Sequence, residues 1–193
     1  MSRTKPEILS RRQVARTRLF RIEELEMRFS NGERRTYEKM CAGGFGAVLV
    51  VPVLDPETFL LISEYGVGEE DYVLAFPKGA VDAGETSLEA ANRELMEEVG
   101  YGARQLHWLK NLRLSPSYME YQIDVILAYD LYPEKRRGDE PEPIEVVPWR
   151  FDNIDALLAR PDFTEGRSIA ALFLAREWLR QGSPDTDEVR RAP

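Results

Sequence analysis

The chain has 193 residues, a formal net charge of −8, and 43% hydrophobic against 31% charged side chains. That length supports one main domain with extensions and a proper core, and the acidity argues against a nucleic-acid partner. The single cysteine, Cys41, excludes an internal disulfide, and neither a membrane-span-length run nor an apolar leader core is visible, so a cytoplasmic protein with no membrane partner is expected.

In chain order, residues 1–16 are basic and polar and read as a solvated, poorly ordered arm. Leu19–Phe29 and Arg34–Cys41 flank Ser30-Asn31-Gly32-Glu33, and Asn-Gly between two strand-like runs is a hairpin signal. Ala42–Gly46 reads as a joint. Ala47–Leu54 (AVLVVPVL) is a continuous apolar run of the kind found in a central strand. Thr58–Glu64 and Tyr72–Phe76 follow as strands, the second leading into a loop, 77–85, rich in Gly and acid. Leu106–Leu114 and Tyr121–Tyr129 read as strands joined by Ser115-Pro116-Ser117-Tyr118, and Tyr132–Pro143 reads as a polar loop. Ile144–Trp149 is expected to be a last strand, and Asp152–Ala159 a helix capped by Asp152. Glu165–Arg180 is expected to be a longer helix with a stripe of Ile169, Leu172, Phe173, Arg176 and Leu179. The charged tail from Gln181 is expected to fray. Strands, a helix, more strands and terminal helices predict an α/β fold, a mixed sheet with helices on both faces.

The most informative stretch is Gly79–Tyr101, GAVDAGETSLEAANRELMEEVGY. Thr86 and Glu89 have the spacing of a capping box that would start a helix near Ser87, and Gly100 is placed to end it in a left-handed conformation. Leu88, Ala91, Leu95 and Val99 recur at helical steps and predict one apolar face. Glu94, Glu97 and Glu98 share another. Crowded carboxylates repel unless a cation sits among them, and hard oxygen donors suit Mg²⁺ or Mn²⁺. Arg93, four residues before Glu97, is placed to steady the cluster. Three glutamates at helical spacing are by themselves more often a solvated face; the Gly-rich loop, Glu85 and Arg93 in register turn the balance toward a metal site.

Written as a pattern, the stretch is G-x5-E-x7-R-E-U-x-E-E-x-G-U, with U a bulky apolar residue and Tyr101 in the last place. This is the Nudix box, and the chain resembles the Nudix hydrolase superfamily. The resemblance implies an α/β/α sandwich with a mixed sheet, an N-terminal β-hairpin extension, and metal-dependent hydrolysis of nucleoside diphosphate derivatives. It implies three segments: 1–44 as arm and hairpin, 45–181 as the hydrolase domain, and 182–193 as tail. Glu94 and Glu98 match the main metal ligands and Glu97 an additional or water-mediated one, Lys78 would offer its backbone carbonyl, and Glu85 and Arg93 match residues that hold the box together. A general base is expected from the loop RGDEPEP, where Glu142 is slightly preferred over Glu140.

FSNGERRTYEKM, EYGVGEEDY, SPSY and GDEPEP extend the resemblance to the group acting on ADP-ribose and other ADP compounds. In that group the hairpin dimerises, so a homodimer is expected, with Phe20 and Tyr37-Glu38 matching an adenine clamp and Tyr118 as a further substrate contact. Tyr65-Gly66 departs from the Tyr-Arg frequent in ADP-ribose enzymes and weakens the match to strict ones; the resemblance to the hydrolases of ADP compounds implies a broader set of substrates, with diadenosine polyphosphates and NADH beside ADP-ribose. The alternatives are another sugar nucleotide such as GDP-mannose, or a non-catalytic ligand sensor; a sensor would be expected to lose box carboxylates, and this chain keeps them.

Overall fold

A computed structural model describes residues 4–181; the tail beyond Gln181 lies outside the described residues. Contacts divide the chain into two units. One comprises the chain up to Gly46 together with Arg113–Gln122, and the other comprises Ala47–Leu112 and the chain from Ile123 on.

The first unit is an antiparallel sheet in the order β1 (Glu7–Arg16), β2 (Arg21–Arg28), β3 (Arg34–Met40). β1 corrects the expectation of a disordered arm. It is almost wholly exposed, and what pairs it is charge: Arg12 meets Glu24 at 2.9 Å, Arg28 meets Glu7 at 2.5 Å and Arg11 meets Glu23 at 3.7 Å. The β2–β3 hairpin turns as Asn31-Gly32 predicts, with Gly32 at φ +85° and its amide bonded to the Phe29 carbonyl at 2.9 Å. The segment Ser115–Glu120 docks on β3, where the Met40 amide donates to the Tyr118 carbonyl at 2.7 Å and Lys39 pairs with Glu120.

The second unit holds a seven-stranded mixed sheet: five strands in the order β10-β5-β4-β9-β8 and two off that path, β6 on β5 and β7 on β4. These strands are β4 (Ala47–Asp55), β5 (Thr58–Gly66), β6 (Asp71–Ala75), β7 (Lys78–Ala80), β8 (Tyr101–Arg113), β9 (Gln122–Pro133) and β10 (Glu145–Arg150). β4 runs parallel to β9 and antiparallel to β5 and β7. β7 falls inside the stretch expected to be loop, held by Ala47↔Ala80 and Leu49↔Lys78 pairing. On β4, Val48 and Val50 pack with Ile62 and Ile126 against Ala90, Ala91, Leu95 and Val99 of the box helix. Leu49 and Val51 alternate to the opposite face. There α3 (Gly166–Arg180) sets Trp178 against His107 at 4.9 Å and Tyr129 at 6.0 Å.

Helices on both faces of a mixed sheet are thus observed, with three local corrections. The buried face of α3 is Ser168, Ala171, Leu172 and Ala175, whereas Phe173 and Leu179 are exposed; small residues let the helix lie close to the sheet and leave the large ones at the rim. Leu88 is likewise exposed, and Ala90 takes its place in the core. Asp152 does not cap a helix: it sits in a 3₁₀ turn, Phe151–Asn153, paired to Arg150 at 2.7 Å, and α2 (Ile154–Leu158) begins after it. No described helix is long and apolar enough to cross a membrane.

Candidate active site

α1 (Ser87–Glu94) starts on a complete capping box, in which Thr86 Oγ1 accepts from the Glu89 amide and the Glu89 carboxylate accepts from the Thr86 amide at 2.8 Å. Ser87 Oγ donates to Asp124 of β9 at 2.6 Å, and that carboxylate also accepts from Trp108 and Asn111. After Glu94 the helix widens into a π turn, Leu95–Val99, closed where the Gly100 amide donates to the Leu95 carbonyl at 3.1 Å. Gly100 ends it at φ +85°. The sequence predicts the start and the stop but not the π register, a local irregularity frequent at functional sites.

Arg93 organises the face that follows. Its Nε and Nη2 bind both Glu85 oxygens at 2.9 and 3.0 Å, Nη2 also donates to the Ala80 carbonyl at 2.8 Å, and Nη1 donates to Glu94 at 2.7 Å and Glu97 at 3.1 Å. A guanidinium has five N–H donors, and these bonds use them all, so Arg93 is a brace with nothing left for a ligand. Gly79 is required by space: a Cβ there would overlap the Glu94 carboxylate.

Glu94 and Glu98 are buried, with relative exposures of 8% and 4%. Glu98 Oε2 accepts from the Lys78 amide at 3.0 Å. Burial pushes the Glu98 carboxyl up to about 8, with the Lys78 charge opposing and Glu94 and Glu64 adding to the rise. Burial also raises Glu94, against the pull of Arg93 and with help from Glu97 and Glu140. These groups open on a cavity of about 490 Å³. Glu64, Asp82, Asp139 and Glu140 add carboxylates to it, and Lys78 and Arg137 add cations beside the saturated Arg93. The Lys78 ammonium is held by Glu64 at 3.0 Å.

Among the described residues, no three acidic, His or Cys side chains stand as a preassembled metal cage. The physical reason is visible: Glu94 and Glu97 face Arg93, and Glu98 faces the Lys78 amide. The donor set nevertheless fits a divalent cation. It is all oxygen, and it contains a buried carboxylate, Glu98, whose ionised form the Lys78 charge and amide offset only in part.

The structure separates the two candidate bases. Glu140 lines the cavity, whereas Glu142 is outside it and accepts from the Tyr72 hydroxyl at 2.5 Å. In the N-terminal unit, Tyr37, Glu38 and Tyr118 border a cavity of about 340 Å³, and Tyr37 packs edge-on to Phe29 with centroids 6.4 Å apart. Strand alternation sends the Tyr37 and Glu38 side chains to opposite faces. Phe20 does not border that cavity; it is 45% exposed in the β1–β2 turn, its amide bonded to Thr17 Oγ1. Sequence reasoning missed Glu64 and Arg137 as cavity residues. For Glu64 the signal was an acid closing an apolar strand run; for Arg137 a basic residue in the acidic loop.

Comparison with known proteins agrees with this architecture. Residues 45–173 match the family described as NUDIX domain, and residues 6–39 match the NudE-type Nudix hydrolase N-terminal domain. The chain is 51% identical over 176 residues to the ADP compounds hydrolase NudE of Escherichia coli (strain K12), covering 91% of this chain and 94% of that protein. A crystal structure of ADP compounds hydrolase superposes with a TM-score of 0.88 at 50% identity, over 95% of this chain and 100% of the other. ADP-ribose pyrophosphatase of Bacillus subtilis (strain 168) is 30% identical over 128 residues, 65% of this chain and 67% of that protein. With its box helix, its mixed sheet and these matches over most of its length, the chain belongs to the Nudix hydrolases.

Proposed function

We propose that the chain hydrolyses ADP-linked compounds, among them ADP-ribose, diadenosine polyphosphates and NADH, to AMP and a phosphorylated product. The observation that carries this is the buried carboxylate pair Glu94 and Glu98 facing a cavity that also holds Glu140; the similarity to ADP compounds hydrolase supports the substrate class. Nudix hydrolases generally need divalent metal ions, and Mg²⁺ (or Mn²⁺) is the ion we assign. Glu94, Glu98, Glu97 and the Lys78 carbonyl would hold it, and when bound it neutralises phosphate oxygens. Glu98 thus serves both metal and catalysis. Glu140 takes the proton of the attacking water, in preference to Glu142, which lies outside the cavity and is turned to Tyr72. As the water oxygen bonds to phosphorus, the bridging P–O bond breaks and the leaving phosphate departs with its electron pair. Glu85 and Arg93 keep the carboxylates in place.

The N-terminal unit is proposed to pair two copies and to supply the adenine contacts, Tyr37 and Tyr118 with Glu38 and Phe20. A homodimer follows from this reading, and a cytoplasmic location is proposed from the single cysteine, Cys41, which fits a reducing compartment. The test is AMP release from ADP-ribose, NADH and diadenosine triphosphate, with GDP-mannose alongside, in Mg²⁺, in Mn²⁺ and in EDTA. Metal-dependent AMP formation is the expected result. Turnover of GDP-mannose alone would move the substrate class, and no metal-dependent turnover at all would favour a ligand-sensing role.

A further inference from the structure

Between β6 and β7 the chain takes a two-residue step, Phe76-Pro77, into Lys78, whose amide holds Glu98. Phe76 is fully buried, so a backbone donor there needs a partner. Pro77 has no N–H to give, and its ring fixes φ. The groups around it are fastened in turn. The Phe76 amide donates to Ser168 Oγ at 3.0 Å, the Pro77 carbonyl accepts from the Val50 amide of β4 at 2.9 Å, and the Lys78 amide donates to Glu98 at 3.0 Å.

Ser168 lies on the first turn of α3 and is itself fully buried. Its hydroxyl donates to Glu165 Oε2 at 2.7 Å, the oxygen that also accepts from the Ser168 amide at 2.8 Å, while Oε1 accepts from Arg167. An ionised carboxylate has no proton to give. The hydroxyl must therefore donate to Glu165 and turn a lone pair toward the Phe76 amide. A charge-assisted bond of this kind is stronger than a neutral one, and it fixes a rotor that would otherwise turn. The cap of α3 is thereby tied, through two hydrogen bonds and a stiff proline, to the backbone beside the box carboxylates. That backbone has little slack: Gly79, next in the chain, lies so near Glu94 that a Cβ would overlap its carboxylate.

We infer that Ser168, oriented by Glu165, is a positioning residue for the metal site: it fixes the backbone from Phe76 to Lys78, and through it the places of Glu98 and of the Lys78 carbonyl. This role rests on the metal-dependent hydrolysis proposed above and adds to it a residue that touches neither metal nor substrate. Removing a group that orients a metal ligand typically costs about 10- to 100-fold in metal affinity or turnover.

The test is Ser168→Ala. Glu165→Gln is the milder variant, keeping the hydroxyl but removing the charge that turns it. Leu157→Ala is the control, because Leu157 is a buried residue of α2 whose truncation costs stability without touching this chain of bonds. Thermal melting ranks the stabilities. Mn²⁺ affinity is read, without substrate, from the loss of the free ion's electron paramagnetic resonance signal, and kcat and KM for ADP-ribose are measured beside it. In Ser168→Ala the Mn²⁺ dissociation constant is expected to rise about tenfold and kcat to fall about tenfold, with KM within about twofold. Glu165→Gln is expected to move both the same way by less, and it carries the test should Ser168→Ala fail to fold. Leu157→Ala is expected to melt lower and keep its Mn²⁺ affinity. Folded Ser168 and Glu165 variants with unaltered Mn²⁺ affinity, or a Leu157→Ala protein that loses it equally, would overturn the positioning role. Failure of the proposed function would look different: the unaltered protein would neither bind Mn²⁺ nor release AMP from any ADP compound, and the positioning role would fall with it.

Discussion

Glu98 is a carboxylate taken out of water beside Glu94 and Glu64, with one backbone amide as its donor. A buried carboxyl whose ionised form is disfavoured destabilises a fold at pH values above its unfolded value. Glu98→Gln in EDTA is therefore expected to raise the melting temperature, by about 2–4 °C for each kcal/mol relieved. The same variant should lose metal-dependent turnover and the extra melting temperature that Mg²⁺ gives the unaltered protein; a variant that melts lower in EDTA would contradict this reading. Glu140→Gln is expected to lower kcat by about 10²-fold or more, and Glu142→Gln by far less, because Glu142 faces Tyr72. Equal losses would undo the assignment of the base. At this scale the box was legible because spacing alone puts Glu85, Arg93, Glu94, Glu97 and Glu98 within reach of one another. The ranking of Glu140 over Glu142 was not, because two acids two residues apart in a loop have no period that says which one turns inward.

Elements start and stop where short-range chemistry dictates, and those points were readable. Thr86 with Glu89 and Gly100 bracket the box helix as their types predict. Thr86→Ala is expected to cost about 1 kcal/mol, seen as a lower urea midpoint with little change in KM. Glu165 caps α3, accepting from the Ser168 amide and hydroxyl and pairing with Arg167. Burial alone would raise its carboxyl, but those bonds outweigh it and hold it below the ordinary value of 4.5. A depressed carboxyl stabilises the fold above its unfolded value and loses that contribution as pH falls through the lower folded one. Denaturation midpoints should thus fall below about pH 4.5, less steeply in Glu165→Gln; equal acid sensitivity would contradict the cap. The π turn was not legible, since it is a hydrogen-bond register and leaves no mark in residue type. β1 was not legible either, because a strand held by cross-strand ion pairs looks, in sequence, like a solvated arm.

For the whole molecule, the apolar run of β4 and the order of strands and helices were enough to predict a mixed sheet with helices on both faces. The grouping of Arg113–Gln122 with the N-terminal strands was beyond reach, because it joins residues far apart in the chain through contacts such as Met40 with Tyr118. Sedimentation equilibrium is expected to give a particle of twice 22.2 kDa; a 22.2 kDa species at assay concentration would remove the proposed pairing of N-terminal units.

The bond from Tyr72 to Glu142 has a kinetic meaning. Glu140 lies two residues from a point where its loop is fastened to β6, so this bond limits how far Glu140 can stray from the cavity it borders. Removing one hydroxyl, as in Tyr72→Phe, is expected to lower kcat with little change in KM, because a loosened base spends less time in reach of the attacking water.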